Sequence, residues 1–127
     1  MYHYIRNKDW DDPSAGFIRN AVITENFEKQ MESFSQLEKN NEIDVIFFSQ
    51  LEDFQKNNCF PHKNLVLMTS DDGWDDNYIN LYPIAKKYGI KFHLSIISNY
   101  TQENRYDNFM TQKEVLEVSD DELFEII

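Results

Sequence analysis

Five short apolar runs, at residues 1–5, 43–48, 64–69, 91–97 and 124–127, are separated by stretches with helical patterning, and this alternation constrains the chain most. Strands that alternate with helices form βαβ units with right-handed crossovers, so the expected class is α/β with parallel strands. Residues 25–40 carry Phe27, Met31, Phe34 and Leu37 at spacings of four, three and three, which places them on one helical face. Thr24 is the expected N-cap there. Ser49 with Glu52 predicts a capped helix over 50–56, and Thr111 with Glu114 another running to Val118. Residues 75–88 read as a helix ended by Gly89, with Pro83 inside it at the cost of a hydrogen bond and a kink, unless the helix proper begins near Leu81. Pro13 and Gly16 punctuate a loop over 6–16, and 99–108 reads as a second polar loop.

Composition excludes several classes. The balance of 23 Asp and Glu against 12 Lys and Arg gives a net charge of -11, which repels phosphate backbones and anionic lipid, so no nucleic acid partner is expected. No apolar stretch approaches the roughly 18 residues of a membrane span. Cys59 is the single cysteine, so no intrachain disulfide can form. Met1 leads into Tyr2-His3-Tyr4 with no visible export signal.

The segment Thr69-Ser70-Asp71-Asp72-Gly73 falls where an apolar run ends and a helical pattern begins. In parallel α/β proteins that edge is where ligands bind. Adjacent carboxylates leaving a strand point in different directions, so one can hold a metal while its neighbour faces a water, and Gly73 lets the backbone turn beside them. The bland reading of Asp-Asp-Gly is an Asx-type turn that caps the next helix.

The context of that segment, from Leu65 through Thr69-Ser70-Asp71-Asp72-Gly73-Trp74 to Tyr78, resembles the first motif of the polysaccharide deacetylase family, also called NodB-homology or carbohydrate esterase 4. The resemblance continues through Tyr82-Pro83-Ile84-Ala85-Lys86-Lys87-Tyr88-Gly89-Ile90-Lys91 and through Phe109-Met110-Thr111 to Phe124-Glu125-Ile126. The opening Tyr2-His3 is similar to that of the poly-N-acetylglucosamine deacetylases.

The resemblance implies the N-terminal part of a deformed (β/α) barrel, incomplete over residues 1–127 and stopping before the family's second motif, a histidine pair. It implies N-deacetylation of a polysaccharide containing N-acetylglucosamine, with Asp71 as general base and Asp72 as ligand to a divalent metal, expected to be zinc. The remaining ligands are expected beyond Ile127, so residues 1–127 alone are expected to be inactive and to hold zinc weakly. His3, Gly73 and Trp74 are the expected site-lining residues, and the implied setting is the cell envelope or outside the cell. Ser70 stands where the family has an aromatic residue, which implies lost apolar packing beneath Asp71.

Other residues fit other readings. His62 reads as a surface histidine and His93 as a core histidine on a strand, while Trp10, Trp74 and Tyr78 are candidates to stack on sugars. A calcium loop fails, because counting back from Gly73 or Gly16 puts Met68, or Asp11 followed by Pro13 and Ala15, at ligand positions. The alternative to the enzyme is a non-catalytic remnant or glycan-interaction domain.

Overall fold

The computed structural model of the chain describes residues 1–7, 21–101 and 108–127. The loop expected over 6–16, with Pro13, Gly16 and Trp10, lies almost wholly outside the described residues, as does most of the loop expected over 99–108.

The elements run β1 (Tyr4–Arg6), β2 (Ala21–Ile23), α1 (Thr24–Lys39), β3 (Ile43–Val45), α2 (Phe48–Lys56), β4 (Asn64–Val66), β5 (Thr69–Ser70), a π-helical segment (Asn77–Leu81), α3 (Tyr82–Tyr88), β6 (Phe92–Leu94), α4 (Gln112–Ser119) and β7 (Phe124–Ile126). Every strand pair is parallel: β1 with β2, β3 with β4, and β5–β6–β7 in that order. A parallel bridge from Tyr2 to Ser70 ties the start of the chain to β5, through Tyr2 N–H to Thr69 O at 2.8 Å and Asp71 N–H to Tyr2 O at 3.0 Å.

The core lies between these ladders and the helices. Phe27 and Met31 of α1 are fully buried with Phe92 and Leu94 of β6, as the one-sided spacing of α1 requires. Phe34 and Leu37 pack at the edge of the same cluster. The Phe92 ring lies 6.0 Å from those of Tyr2 and Phe27 and 6.5 Å from that of Phe124, so aromatic residues of α1, β6, β7 and the start of the chain share one contact.

Several expected boundaries move. Residue 48 is already helical, and Ser49 with Glu52 is not the cap of α2: Phe47 is the N-cap, its N–H bonded to Gln50 Oε1 at 3.1 Å, while Ser49 Oγ donates to Glu125 at 2.6 Å. Tertiary partners thus claim the hydroxyl that local pattern assigns to the cap. Thr24 opens α1 from inside, with Ile23 at the cap position and Thr24 Oγ1 bonded to Asn7 at 3.1 Å. Thr111 does cap α4, exchanging bonds with Glu114 in both directions. The expected strand over 64–69 is two short strands, and β2 is an element that no pattern in the sequence announces. Pro83 falls at the second residue of α3, where its missing N–H costs little, and the π-helical turn before it absorbs the misfit.

Candidate active site

Asp71 and Asp72 follow β5 directly, at the carboxyl end of a strand in the parallel β5–β6–β7 ladder. Asp72 and Gly73 both take left-handed backbone conformations, at φ 73° and 72°, so the chain reverses sharply there. A Cβ at position 73 would meet Ile96 Cδ1 at 2.8 Å, whereas one at Gly89, also at positive φ, meets nothing within 4 Å. Gly73→Ala is therefore expected to destabilise the chain by about 2 kcal/mol and Gly89→Ala by about 1 kcal/mol, which urea midpoints will separate.

The two carboxylates have different surroundings. Asp71 Oδ2 lies 3.9 Å from His3 Nε2, with side chains 30% and 23% exposed. Asp72 Oδ2 accepts the Trp74 indole N–H at 3.2 Å. Trp74 is packed on Tyr4 at 4.6 Å and stacked on Phe109 at 4.1 Å, and it bridges to Phe109 antiparallel. Tyr4 and Phe109 thus lie against the indole whose N–H is bonded to Asp72. Tyr78 stacks on Tyr82 and donates to Glu117 at 3.0 Å, and Trp10 lies outside the described residues. Burial, with the charge on Asp72, pushes the Tyr4 hydroxyl up to about 12, so that phenol stays protonated.

Beneath the turn, Ser70 Oγ donates to Asn77 Oδ1 at 2.6 Å in a buried contact. The serine thus replaces apolar packing with a hydrogen bond to the π-helical segment. Its neighbour Asp76 is 1% exposed, accepts the Ile5 N–H at 2.8 Å and lies 3.0 Å from Arg6 Nε. Burial is the largest influence on Asp76 and lifts its carboxyl to about 7 against the pull of Arg6 and the Ile5 amide. A carboxyl raised in the folded state stabilises the fold below its unfolded value, and that contribution is lost as pH rises from 3.8 through about 7. The wild type minus Asp76→Asn difference in unfolding free energy is expected to fall by up to about 4 kcal/mol between pH 4 and pH 8. Urea titrations across that range check the sign.

His93 is fully buried: Nε2 is 2.9 Å from the Phe48 N–H and 3.2 Å from Glu125, and Nδ1 is 3.2 Å from Met68 O. It is a core histidine held by α2, β7 and the connection between β4 and β5, and His62 is exposed. Among the described residues, no three His, Cys, Asp or Glu side chains converge as a metal would require, so these residues alone do not form a complete metal centre.

No family model matches the chain. Against solved structures, the Streptococcus pyogenes deacetylase PplD, determined with acetate, superposes with a TM-score of 0.74 at 25% identity, over 99% of this chain and 52% of that one. The de-N-acetylase of Aggregatibacter actinomycetemcomitans gives 0.72 at 20% identity, over 98% and 51%. A Bacillus subtilis (strain 168) protein, YxkH, which carries the name polysaccharide deacetylase, is 49% identical over 37 residues, covering 29% of this chain and 13% of that protein. These relatives are deacetylases by name, YxkH a polysaccharide deacetylase. The parallel α/β architecture corresponds to about half of the deacetylase fold, as the chain spans about half the length of these solved relatives. Among the described residues, no helix is long and apolar enough to cross a membrane.

Behind the turn, Asp76 and Asn80 bond Ile5 and Asn77 bonds Ser70, contacts that local sequence pattern does not announce. Their signal was three polar residues interrupting a helical stretch that must bury one face.

Proposed function

We propose that the chain supplies part of the active site of a hydrolase that removes N-acetyl groups from a polysaccharide containing N-acetylglucosamine. The observation that carries this reading is the Asp71–Asp72 pair at the end of β5, with His3 3.9 Å from Asp71. Asp71, half-exposed and unencumbered by the indole, is the general base: it takes a proton from the water that adds to the acetamide carbonyl. Water and amide then become acetate and a free amine.

Asp72, with Oδ2 held by Trp74, keeps Oδ1 for a divalent metal, expected as zinc, whose chemistry is to polarise the carbonyl and acidify the water. Its other ligands would come from outside the described residues.

The test is acetate release from N-acetylglucosamine oligomers, with and without chelator, by the 127-residue chain and by the full product of its gene. Chelator-sensitive release by the full product is expected, with little from residues 1–127 alone. Absence of release from the full product overturns the reading. The alternative, a non-catalytic glycan-interaction domain, has as its signature saturable oligomer binding with no acetate formed.

A further inference from the structure

Asp76 and Asn80 lie four residues apart, just before and within the π-helical segment, and their side chains meet at one backbone unit of β1. Asp76 Oδ2 accepts the Ile5 N–H at 2.8 Å, and Asn80 Nδ2 donates to the Ile5 carbonyl at 2.6 Å. Arg6, the next residue, reaches Asp75 at 3.2 Å and Asp76 at 3.0 Å. Ile5 is fully buried, so these bonds form away from solvent, where an unmet amide or carbonyl is costly. Two residues earlier stands His3, whose ring faces Asp71, and one further back is Tyr2, bonded to Thr69 and Asp71. The segment that follows the aspartate turn therefore grips the strand that directly follows the histidine.

We propose that Asp76, acting with Asn80 through Ile5, is a positioning residue of the site: it sets β1, and with it His3, at the working distance from Asp71. This rests on the deacetylase reading for its functional meaning but makes a structural claim of its own. A buried carboxyl that meets the Ile5 amide and the Arg6 guanidinium costs more than apolar packing of the same space would. Its geometry makes sense where register matters more than stability. The π-helical turn fits the same role, because it aims residues 76 and 80 together at Ile5 before α3 resumes regular helix, and such turns recur at functional sites.

Amide hydrogen exchange on the 127-residue chain separates positioning from mere packing. In Asp76→Ala, exchange at Ile5, Tyr2 and Asp71 is expected to rise at least about tenfold, while Phe92, His93 and Phe124 keep wild-type protection. Asp76→Asn, whose side-chain oxygen can still accept from Ile5, and Asn80→Ala are expected to show smaller rises at the same amides. Unchanged exchange at Tyr2 and Asp71 in Asp76→Ala overturns the proposal, as does an equal loss of protection across Phe92 and Phe124 in all three variants. In the full gene product, Asp76→Ala is expected to lower kcat for acetate release about tenfold with KM unchanged, Asp76→Asn to lower it less, and Asp76→Ala to add nothing in a His3→Ala background. Additive effects of His3→Ala and Asp76→Ala overturn the coupling. If no version releases acetate, the deacetylase reading fails, and the exchange pattern still decides whether Asp76 positions β1.

Discussion

Asp71→Asn is expected to lower acetate release by the full gene product by about 10²–10⁴-fold while metal content stays at the wild-type level. Asparagine preserves the shape of the side chain and its backbone bond to Tyr2 but cannot take a proton from water. Asp72→Asn is expected to act the other way round: metal affinity falls first and turnover falls with it, because a neutral amide oxygen is a weaker ligand for a hard cation. Elemental analysis of the two purified variants, set beside their kcat values, distinguishes the roles. Loss of metal from both, or from neither, contradicts the assignment.

Phe92→Ala is expected to cost about 3–5 kcal/mol, the largest single effect on stability in the chain. Phe92 is fully buried on β6, with rings from Tyr2, Phe27 and Phe124 around it. Removing the ring opens a cavity among side chains from separate elements that cannot collapse together. Because domains of this size are stable by only about 5–15 kcal/mol, the variant should unfold at a much lower urea concentration, and its Tyr2–Ser70 bridge should loosen with it. A loss below about 1 kcal/mol would mean that the aromatic contacts do not carry the core.

What could be read from the sequence was whatever the local pattern encodes. Helix α1 followed from the spacing of Phe27 and Met31, α4 from Thr111 and Glu114, and the strand-to-turn transition at Asp71 from an apolar run meeting Asp-Asp-Gly. The α2 cap could not be read, since Ser49 and Glu52 make a sound local box and lose only because Glu125, 76 residues away, takes the hydroxyl. Strand β2 has three residues, too few for any period to appear. In the site, the turn was legible and its fastenings were not. The Trp74 bond to Asp72, the Phe109 stack and the Asp76 hold on Ile5 depend on the tertiary meeting of segments 35 or more residues apart, apart from the first. The left-handed Asp72 also lacked a signal, because aspartate is merely tolerant of that conformation.

The bridge between Tyr2 and Ser70 spans 68 residues of chain, whereas β1 meets β2 across only 17. During synthesis at roughly 5–20 residues per second, the first strand therefore leaves the ribosome about 3–14 s before its second partner exists. The aromatic opening Tyr2-His3-Tyr4 has to wait through that interval, with β2 as its earliest neighbour. The pairing of His3 with Asp71 can form only once residue 71 has emerged, 68 residues after His3, so closure of a long loop rather than local pairing brings the two side chains together.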